Sequence, residues 1–164
     1  MLHEHDAAVA RMLDEVAIRS LVARYGDAVT RRDWDEVAQC FLADATTTLD
    51  LRRDVPLALT GGEAVATFIA QAVERFSFFA FTIVNCVVDL GTGNAPNDAT
   101  GRTYICELRR DGESGAWSNA YGCYADEFHR RDEHWRFASR RYASLARVDY
   151  EGATAETFEI PGMA

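Results

Sequence analysis

The second half of the chain changes from helical to strand-like periodicity, and this change restricts the folds that are open to it. Four runs rich in β-branched and aromatic residues follow one another between residues 79 and 150. Short turn sequences separate them, which favours antiparallel pairing of successive strands. The four runs are FAFTIVNCVVDL, ATGRTYICELRR, AWSNAYGCYADEFHRR and HWRFASRRYASLARVDY. We therefore predict an antiparallel meander of four long strands.

The first half predicts three helices, with a short strand before the third. The first helix is capped by Asp6 and buries a ladder of apolar side chains, Val9, Leu13, Ala17, Leu21, Tyr25 and Ala28. Asp33 and Glu36 have the spacing of a capping box for a short second helix through Phe41. The following segments predict, in order, a strand in ATTTLDL, a loop in RRDVPLALTGG and a helix in GGEAVATFIAQAVERF.

Helices followed by long strands are typical of the α+β class, with a curved sheet wrapped around the helices. A length of 164 residues suits one domain. We place its core at about residues 7–148 and a C-terminal tail at 149–164. A curved sheet packed on a helix can leave a hollow between them, and this hollow is the predicted site.

The charge of the chain argues against several classes of partner. Its 17 basic and 26 acidic residues give a net charge of −9, which repels nucleic-acid phosphates and anionic lipids. No run approaches the roughly 18 apolar residues that span a membrane, and the N-terminus has no signal-peptide pattern. We expect a cytoplasmic protein with no nucleic-acid or membrane partner. The four cysteines form no C-x-x-C pair and are expected to be structural, and no metal site is predicted.

Strand alternation groups several polar residues of the third long strand. Gly122, Tyr124, Asp126 and Phe128 share one face, which we assign to the cavity. A carboxylic acid on that face would be partly desolvated, which raises its pKa and lets it act as a base or as a neutral hydrogen-bond donor. The alternative is a salt bridge from Asp126 to Arg140 or Arg141. Tyr25, at the inner end of the first helix, could equally complete the core or point its phenol into the cavity.

The order of these segments resembles the SnoaL-like branch of the nuclear transport factor 2-like superfamily. Three stretches carry the resemblance: RYGDAVTRRDWDEVAQCFLADA, TGGEAVATFI and GCYADEFHRRDEHWRFASRRY. It implies a cone-shaped α+β barrel with three N-terminal helices packed on a curved, mostly antiparallel sheet, assembled as a homodimer or homotrimer. It also implies a pocket for a small hydrophobic or aromatic molecule and proton transfer without a cofactor. Relatives include scytalone dehydratase, ketosteroid isomerase and a dehydrochlorinase.

The resemblance assigns roles position by position. The carboxylate and histidine that serve as the acid-base pair in dehydratases and the dehydrochlorinase correspond to Thr30 and Phe81 here. Tyr25 matches a helix tyrosine that donates a hydrogen bond in the cavity, and Asp126 matches the cavity aspartic acid of the isomerase. Tyr104 matches a strand histidine of scytalone dehydratase. The serine and asparagine of that enzyme correspond to Gly122 and Tyr124.

Two sets of site residues follow. The catalytic candidates are Tyr25, Asp126 and Tyr104. The substrate-binding candidates are Tyr124, Asn85, Phe81, Thr30, Gly122 and Arg140. Asn85 lies two alternations from Phe81 and could orient a substrate oxygen or satisfy buried backbone at a strand bend.

The sequence therefore predicts a cofactor-independent lyase or isomerase that moves a proton on a small cyclic substrate. The loss of the acid-base pair leaves two alternatives open. One is a binding domain without catalysis, and the other is a structural partner similar to the β-subunits of ring-hydroxylating dioxygenases.

Overall fold

The computed structural model describes residues 2–52, 55–91 and 95–150, in which three helices pack on a six-stranded sheet. The elements are α1 (Leu2–Arg31), α2 (Trp34–Gln39), β1 (Phe41–Asp50), β2 (Leu57–Thr60), α3 (Gly62–Val73), β3 (Phe76–Leu90), β4 (Asp98–Asp111), β5 (Trp117–Arg131) and β6 (His134–Tyr150). The predicted α+β class is confirmed. No helix in the described part of the chain is both long and apolar enough to cross a membrane.

The sheet has the strand order β2-β1-β6-β5-β4-β3. Strands β3 to β6 form the predicted antiparallel meander, whereas β1 returns to pair with β6 in parallel. In the described ranges β2 and β3 are edge strands, so the sheet is open, whereas the resemblance implied a barrel. The long α1 lies across β3 and β6, and this arrangement leaves a hollow against the inner face of the sheet.

The first half of the chain agrees with the prediction in part. A strand precedes the third helix as predicted, so only α1 and α2 are N-terminal to the sheet, whereas the resemblance implied three N-terminal helices. Phe41 begins β1 instead of ending α2, because it pairs with Phe137 of β6 and the carbonyl of Cys40 accepts a hydrogen bond from the Phe137 N–H. The predicted loop contains β2, which pairs with β1 from Thr46 to Leu49. In the last two cases long-range pairing overrides local propensity.

The helix α1 begins at Leu2, so Asp6 lies inside the helix and is not its cap. The first part of the predicted apolar ladder is exposed: Val9 is 41% and Leu13 65% accessible. The buried face consists instead of Ile18, Leu21, Val22, Tyr25, Ala28 and Val29. A 30-residue helix is about 45 Å long, and only its second half is buried against the rest of the domain.

Asp14 attaches the first half of α1 to the hairpin between β5 and β6. Its Oδ1 accepts hydrogen bonds from Arg130 Nη1 at 2.7 Å and from Trp135 Nε1 at 2.9 Å. The predicted C-terminal tail begins within β6, and its residues 151–164 lie outside the described residues. The four cysteines are free thiols; Cys40 is buried and the other three are half-buried.

Candidate functional site

A cavity of about 470 Å³ lies between α1, α3 and the inner face of the sheet. Its apolar walls come from every layer of the domain: Val29, Leu49, Leu51, Val65, Phe68, Ile69, Ala72, Val73, Phe76, Phe79, Phe81 and Ala120. Its polar lining consists of Tyr25, Thr47, Arg75, Glu107, Arg109, Ser118, Tyr124, Arg140, Tyr142, Arg147 and Asp149. A concave, mostly apolar site with a few converging polar groups is typical of small-molecule sites.

Arg140 forms the deep end of the cavity. Its side chain is 1% exposed and makes two hydrogen bonds to Asp126, from Nε at 2.8 Å and from Nη2 at 3.1 Å. Arg141 is exposed, so the alternation of β6 turns Arg140 inward. Of the two alternatives for Asp126, the structure shows the ion pair with Arg140. Asp126 itself is not among the cavity-lining residues.

Three aromatic rings surround the guanidinium of Arg140. Its Cζ lies 4.3 Å from the ring centre of Tyr25, 3.9 Å from that of Tyr124 and 4.0 Å from that of Phe137. A cation over an aromatic face gains energy from the ring quadrupole, and this gain is larger when water is excluded. The rings therefore fix the guanidinium in one position beside the cavity, as a site for a polar ligand atom requires.

Burial affects the protonation of every group at this end. It raises the pKa of Asp126, although the guanidinium of Arg140 opposes the rise. Burial also raises the pKa of Tyr25 and, more strongly, that of Tyr124. Both phenols are therefore protonated at neutral pH, and because they lie within hydrogen-bonding reach of each other, at least one of them can donate to a ligand.

The buried polar atoms that lack a partner converge on this cavity. In the described residues they are Thr47 Oγ1, Arg109 Nε and Arg140 Nη1. All three belong to residues that line the cavity. An unsatisfied buried donor or acceptor costs about 1–3 kcal/mol, and such groups call for an explanation. A polar ligand that supplies the missing partners is the simplest explanation.

Glu107 is a site residue that the sequence analysis missed. Burial raises the pKa of its carboxyl group, whereas the positive charges of Arg109 and Arg147 lower this pKa. Its nearest cation is Arg109, whose Nη1 lies 3.6 Å from Glu107 Oε2. Glu107 is close enough to raise the pKa of Tyr25, Tyr124 and Tyr142 by its charge. The strand alternation could have identified it, because Glu107 lies on the same face of β4 as Thr103 and Ile105, which are both buried.

The raised pKa of Glu107 predicts a stability effect that depends on pH. A carboxyl whose pKa is higher in the folded protein favours folding while it is protonated, and this contribution is lost as the pH rises through the folded-state pKa. Glu107→Gln should therefore raise the Tm at neutral pH and leave it unchanged at a pH well below about 4. Thermal unfolding at both pH values checks this, with the exposed Glu127→Gln on β5 as the control. A lower Tm for Glu107→Gln at neutral pH would contradict the assignment.

Tyr104 does not reach the cavity. It is 37% exposed, whereas its neighbour Ile105 is 1% exposed and points inward. Tyr104 is paired with Cys123, and the two side chains lie together on the outer face of the sheet. The prediction of Tyr104 as a catalytic residue of the cavity is therefore wrong. The third phenol is that of Tyr142, which lines the cavity 5.0 Å from Tyr124, measured between ring centres.

Asn85 is also outside the cavity, because β3 contains a bulge. The register with β4 shifts between Ile83 and Asn85, so one extra residue reverses the alternation beyond that point. Phe81 keeps its predicted inward orientation and lines the cavity, but Asn85 is exposed. Strict alternation from Phe81 therefore placed Asn85 on the wrong face.

Gly122 faces inward as predicted, but it is covered by another residue. A side chain at this position would collide with the ring of Tyr142. The glycine therefore makes room for Tyr142 and does not itself line the cavity, which corrects its assignment as a substrate-binding residue.

Thr30 connects α1 to the edge strand β3. Its Oγ1 accepts a hydrogen bond from the Phe81 N–H at 3.0 Å and donates to the Gly26 carbonyl at 3.0 Å. Thr30 does not line the cavity, so its assignment as a substrate-binding residue is also corrected. The two positions that the resemblance aligned with an acid-base pair are thus in direct contact, but they form a structural link.

We expect Thr30→Val to lower the free energy of unfolding by about 1–3 kcal/mol, because the Phe81 N–H loses its partner while the shape of the side chain is kept. Urea unfolding measures the change. Thr67→Val, at an exposed position of α3, is the matched control and should have a smaller effect. Equal effects of the two substitutions would mean that the Thr30 hydroxyl contributes nothing specific.

A family model identifies the family of this chain, and solved structures share its fold. The family model for the SnoaL-like domain matches residues 10–141. The crystal structure of LinA is 20% identical and covers 92% of this chain and 98% of its own, with a TM-score of 0.78. The hexachlorocyclohexane dehydrochlorinase LinA-type3 from Novosphingobium barchaimii is 18% identical, with 92% and 99% coverage and a TM-score of 0.79.

A candidate scytalone dehydratase from Novosphingobium aromaticivorans is similar over 94% of this chain and 99% of its own, at 17% identity and a TM-score of 0.75. At these identities the likeness shows the shared fold alone. No curated protein matches the sequence.

Proposed function

Because this chain belongs to the SnoaL-like domain family, we propose that it is a cofactor-independent lyase or isomerase acting on a small, cyclic substrate in the cavity. The observation that carries the proposal is that the buried polar atoms without partners in the described residues all belong to cavity-lining residues. Beside them lies Glu107, a carboxyl group whose pKa is raised by burial. Perturbed acids in clefts are candidates for proton transfer.

The deep end of the cavity would stabilise negative charge on a substrate oxygen. Arg140 is held by Asp126 and by the aromatic rings, and its Nη1 has no partner. Tyr25 and Tyr124 line the same end and are protonated at neutral pH. Fixed donors in a dry site that are aimed at developing charge are the largest single source of catalysis in many enzymes.

Glu107 would move the proton. In its ionised form it removes a proton from the carbon next to a carbonyl group; the electron pair of the broken C–H bond forms a C=C bond, and the π pair of the carbonyl moves to its oxygen. The resulting enolate collapses in one of two ways. If the substrate has a β,γ double bond, the dienolate takes the proton back at the γ-carbon, which is isomerisation; if the β-carbon carries a leaving group, the enolate expels it, which is elimination. A raised pKa suits a carboxyl group to both halves of this transfer near neutral pH.

This role replaces the one that the sequence analysis gave to Asp126. Both oxygens of Asp126 accept hydrogen bonds from Arg140, so the carboxylate is committed to positioning the guanidinium. The relatives include enzymes named as a dehydrochlorinase and a candidate scytalone dehydratase, and both names denote eliminations. We propose the same class of reaction here, with Glu107 in place of the acid-base pair that Thr30 and Phe81 do not supply.

Deuterium exchange tests the proposal before the product is known. The wild-type protein is incubated in D₂O with a panel of cyclic ketones, and loss of the α-proton signal is followed by ¹H NMR. We expect exchange above the buffer rate for at least one ketone that also raises the Tm. If the ketones raise the Tm and none exchanges, the proposed proton transfer is wrong. The protein is then a binding domain without catalysis, which is consistent with Thr30 and Phe81 at the positions of the acid-base pair.

A further inference from the structure

We propose that the ligand of this cavity is a cyclic carboxylate, and that Arg109 and Arg147, assisted by Arg75, bind its anionic group at the mouth. The proposal rests on the proposed function for the identity of the site. It adds the class of substrate, which neither the family nor the fold defines.

The sheet register brings the first two arginines together. Arg109 of β4 pairs with Ser118 of β5, and Arg147 of β6 pairs with Ala120, two residues along. Residues two apart on a strand share a face, so the two arginines flank neighbouring inward positions of β5 from opposite sides. Both line the cavity, and both lower the pKa of Glu107, which also pairs with Ala120.

Arg75 approaches the same end from the segment between α3 and β3. Its Cζ lies 4.8 Å from the ring centre of Phe76, and the Cζ of Arg109 lies 5.3 Å from the same centre. The two guanidiniums therefore share one aromatic ring at the edge of the cavity. Guanidinium groups bind carboxylates through two parallel hydrogen bonds, so they are well suited to such a ligand.

Arg109 and Arg147 each have N–H groups that could donate further hydrogen bonds. Arg109 Nε is buried without a partner, and its closest carboxylate contact is the long one of 3.6 Å to Glu107. Arg147 donates to the Leu51 carbonyl at 3.0 Å, and it makes no ion pair with any residue in the described ranges. Glu107 is therefore the one carboxylate paired with Arg109 in the described ranges, and the pair is too long for a hydrogen bond.

The charge of the cavity is opposite to that of the protein. Four arginines and two acidic residues line it, whereas the whole chain carries a net charge of −9. Arg140 is paired with Asp126, and Arg75 lies 4.0 Å from Asp111, so Arg109 and Arg147 are the cations that a ligand would meet first. A cluster of cations in an acidic protein attracts anions to that place while the remaining surface repels them. The remaining lining is mostly apolar, so the ligand that fits is an apolar ring with a carboxylate at one end and a carbonyl oxygen at the other.

The test compares ligands that differ only in charge. Calorimetry measures the Kd of the oxocyclohexanecarboxylate isomers and of their neutral methyl esters. We expect the carboxylate to bind the wild type at least about 10-fold more tightly, a preference that shrinks as salt is added. Arg109→Gln and Arg147→Gln should each remove most of this preference while changing the Kd of the ester little. Arg141→Gln, on the outer face of β6, should retain it.

Three results would overturn the proposal: no binding of any of the carboxylates, equal or tighter binding of the ester, or an undiminished preference in both variants. Circular dichroism shows that each variant is folded. The exchange assay separates this proposal from the proposed function. If the protein prefers the carboxylate but exchanges no proton, the proposed catalysis is wrong and the proposed ligand class stands. If it exchanges protons without preferring the carboxylate, the ligand class is wrong and the catalysis stands.

Discussion

Replacing Asp126 with alanine is expected to lower the free energy of unfolding by about 3–5 kcal/mol, the cost of leaving a buried charge without its partner. Arg140 is 1% exposed and its Nη1 already lacks a hydrogen bond. The substitution removes the acceptor of its other two donors. The guanidinium lies among three aromatic rings, which do not replace the lost acceptor. Urea or thermal unfolding measures the loss.

Two further variants show whether charge pairing is the cause. Asp126→Asn keeps one oxygen that can accept from Arg140, so its loss should be smaller than that of Asp126→Ala. The double variant Asp126→Leu/Arg140→Met removes both charges and should be more stable than Asp126→Ala alone. A cost for Asp126→Ala within about 0.5 kcal/mol of zero would mean that the pair is not desolvated as described.

Glu107→Gln is expected to lower the rate of α-proton exchange at neutral pH by about 100-fold or more, the usual contribution of a general base. The amide keeps the size of the side chain and cannot take a proton. Because the substitution should also raise the Tm, the loss of rate cannot come from unfolding. Initial exchange rates at saturating ketone measure the effect.

The control is again Glu127→Gln, which removes a carboxylate from the exposed side of β5 and should leave the rate unchanged. A second comparison uses Tyr25→Phe, which removes one phenol of the proposed oxyanion site. It should slow exchange by less than Glu107→Gln, because Tyr124 and Arg140 remain. A Glu107→Gln variant within a few-fold of the wild type would assign the proton transfer to another group.

The long strands could be predicted from the sequence because each carries its own pattern. The run from His134 to Tyr150 was predicted with the bounds that the structure shows, and the inward face of β5 around Tyr124 is the predicted one. Alternating burial is a local property, and the turn sequences between the strands are local as well. For Tyr25 the sequence left two alternatives open, completing the core or lining the cavity, and the structure shows this residue both buried and lining the cavity.

The remaining features depend on contacts that one segment alone does not specify. The bulge near Ile83 turns Asn85 to the outer face of the sheet, and the residue pattern of β3 does not predict this bulge. The strand β2 exists because β1 offers it an edge. Glu107 is a better candidate for the base than Asp126 because Asp126 accepts two hydrogen bonds from Arg140. This pairing joins two different strands, so neither strand pattern predicts it. The resemblance aligned Thr30 and Phe81 with an acid-base pair, but in the structure these two residues form a hydrogen bond that joins α1 to β3.

The pH dependence of proton exchange, measured as kcat/KM for a ketone that binds, tests the central assignment most directly. We predict that the wild-type rate rises with pH through a midpoint above the ordinary glutamic acid value of about 4.3, because burial raises the pKa of Glu107. The Glu107→Gln variant should lack this rise and remain close to the buffer rate. A Glu107→Gln variant that keeps the wild-type rate and the same pH profile would contradict the assignment.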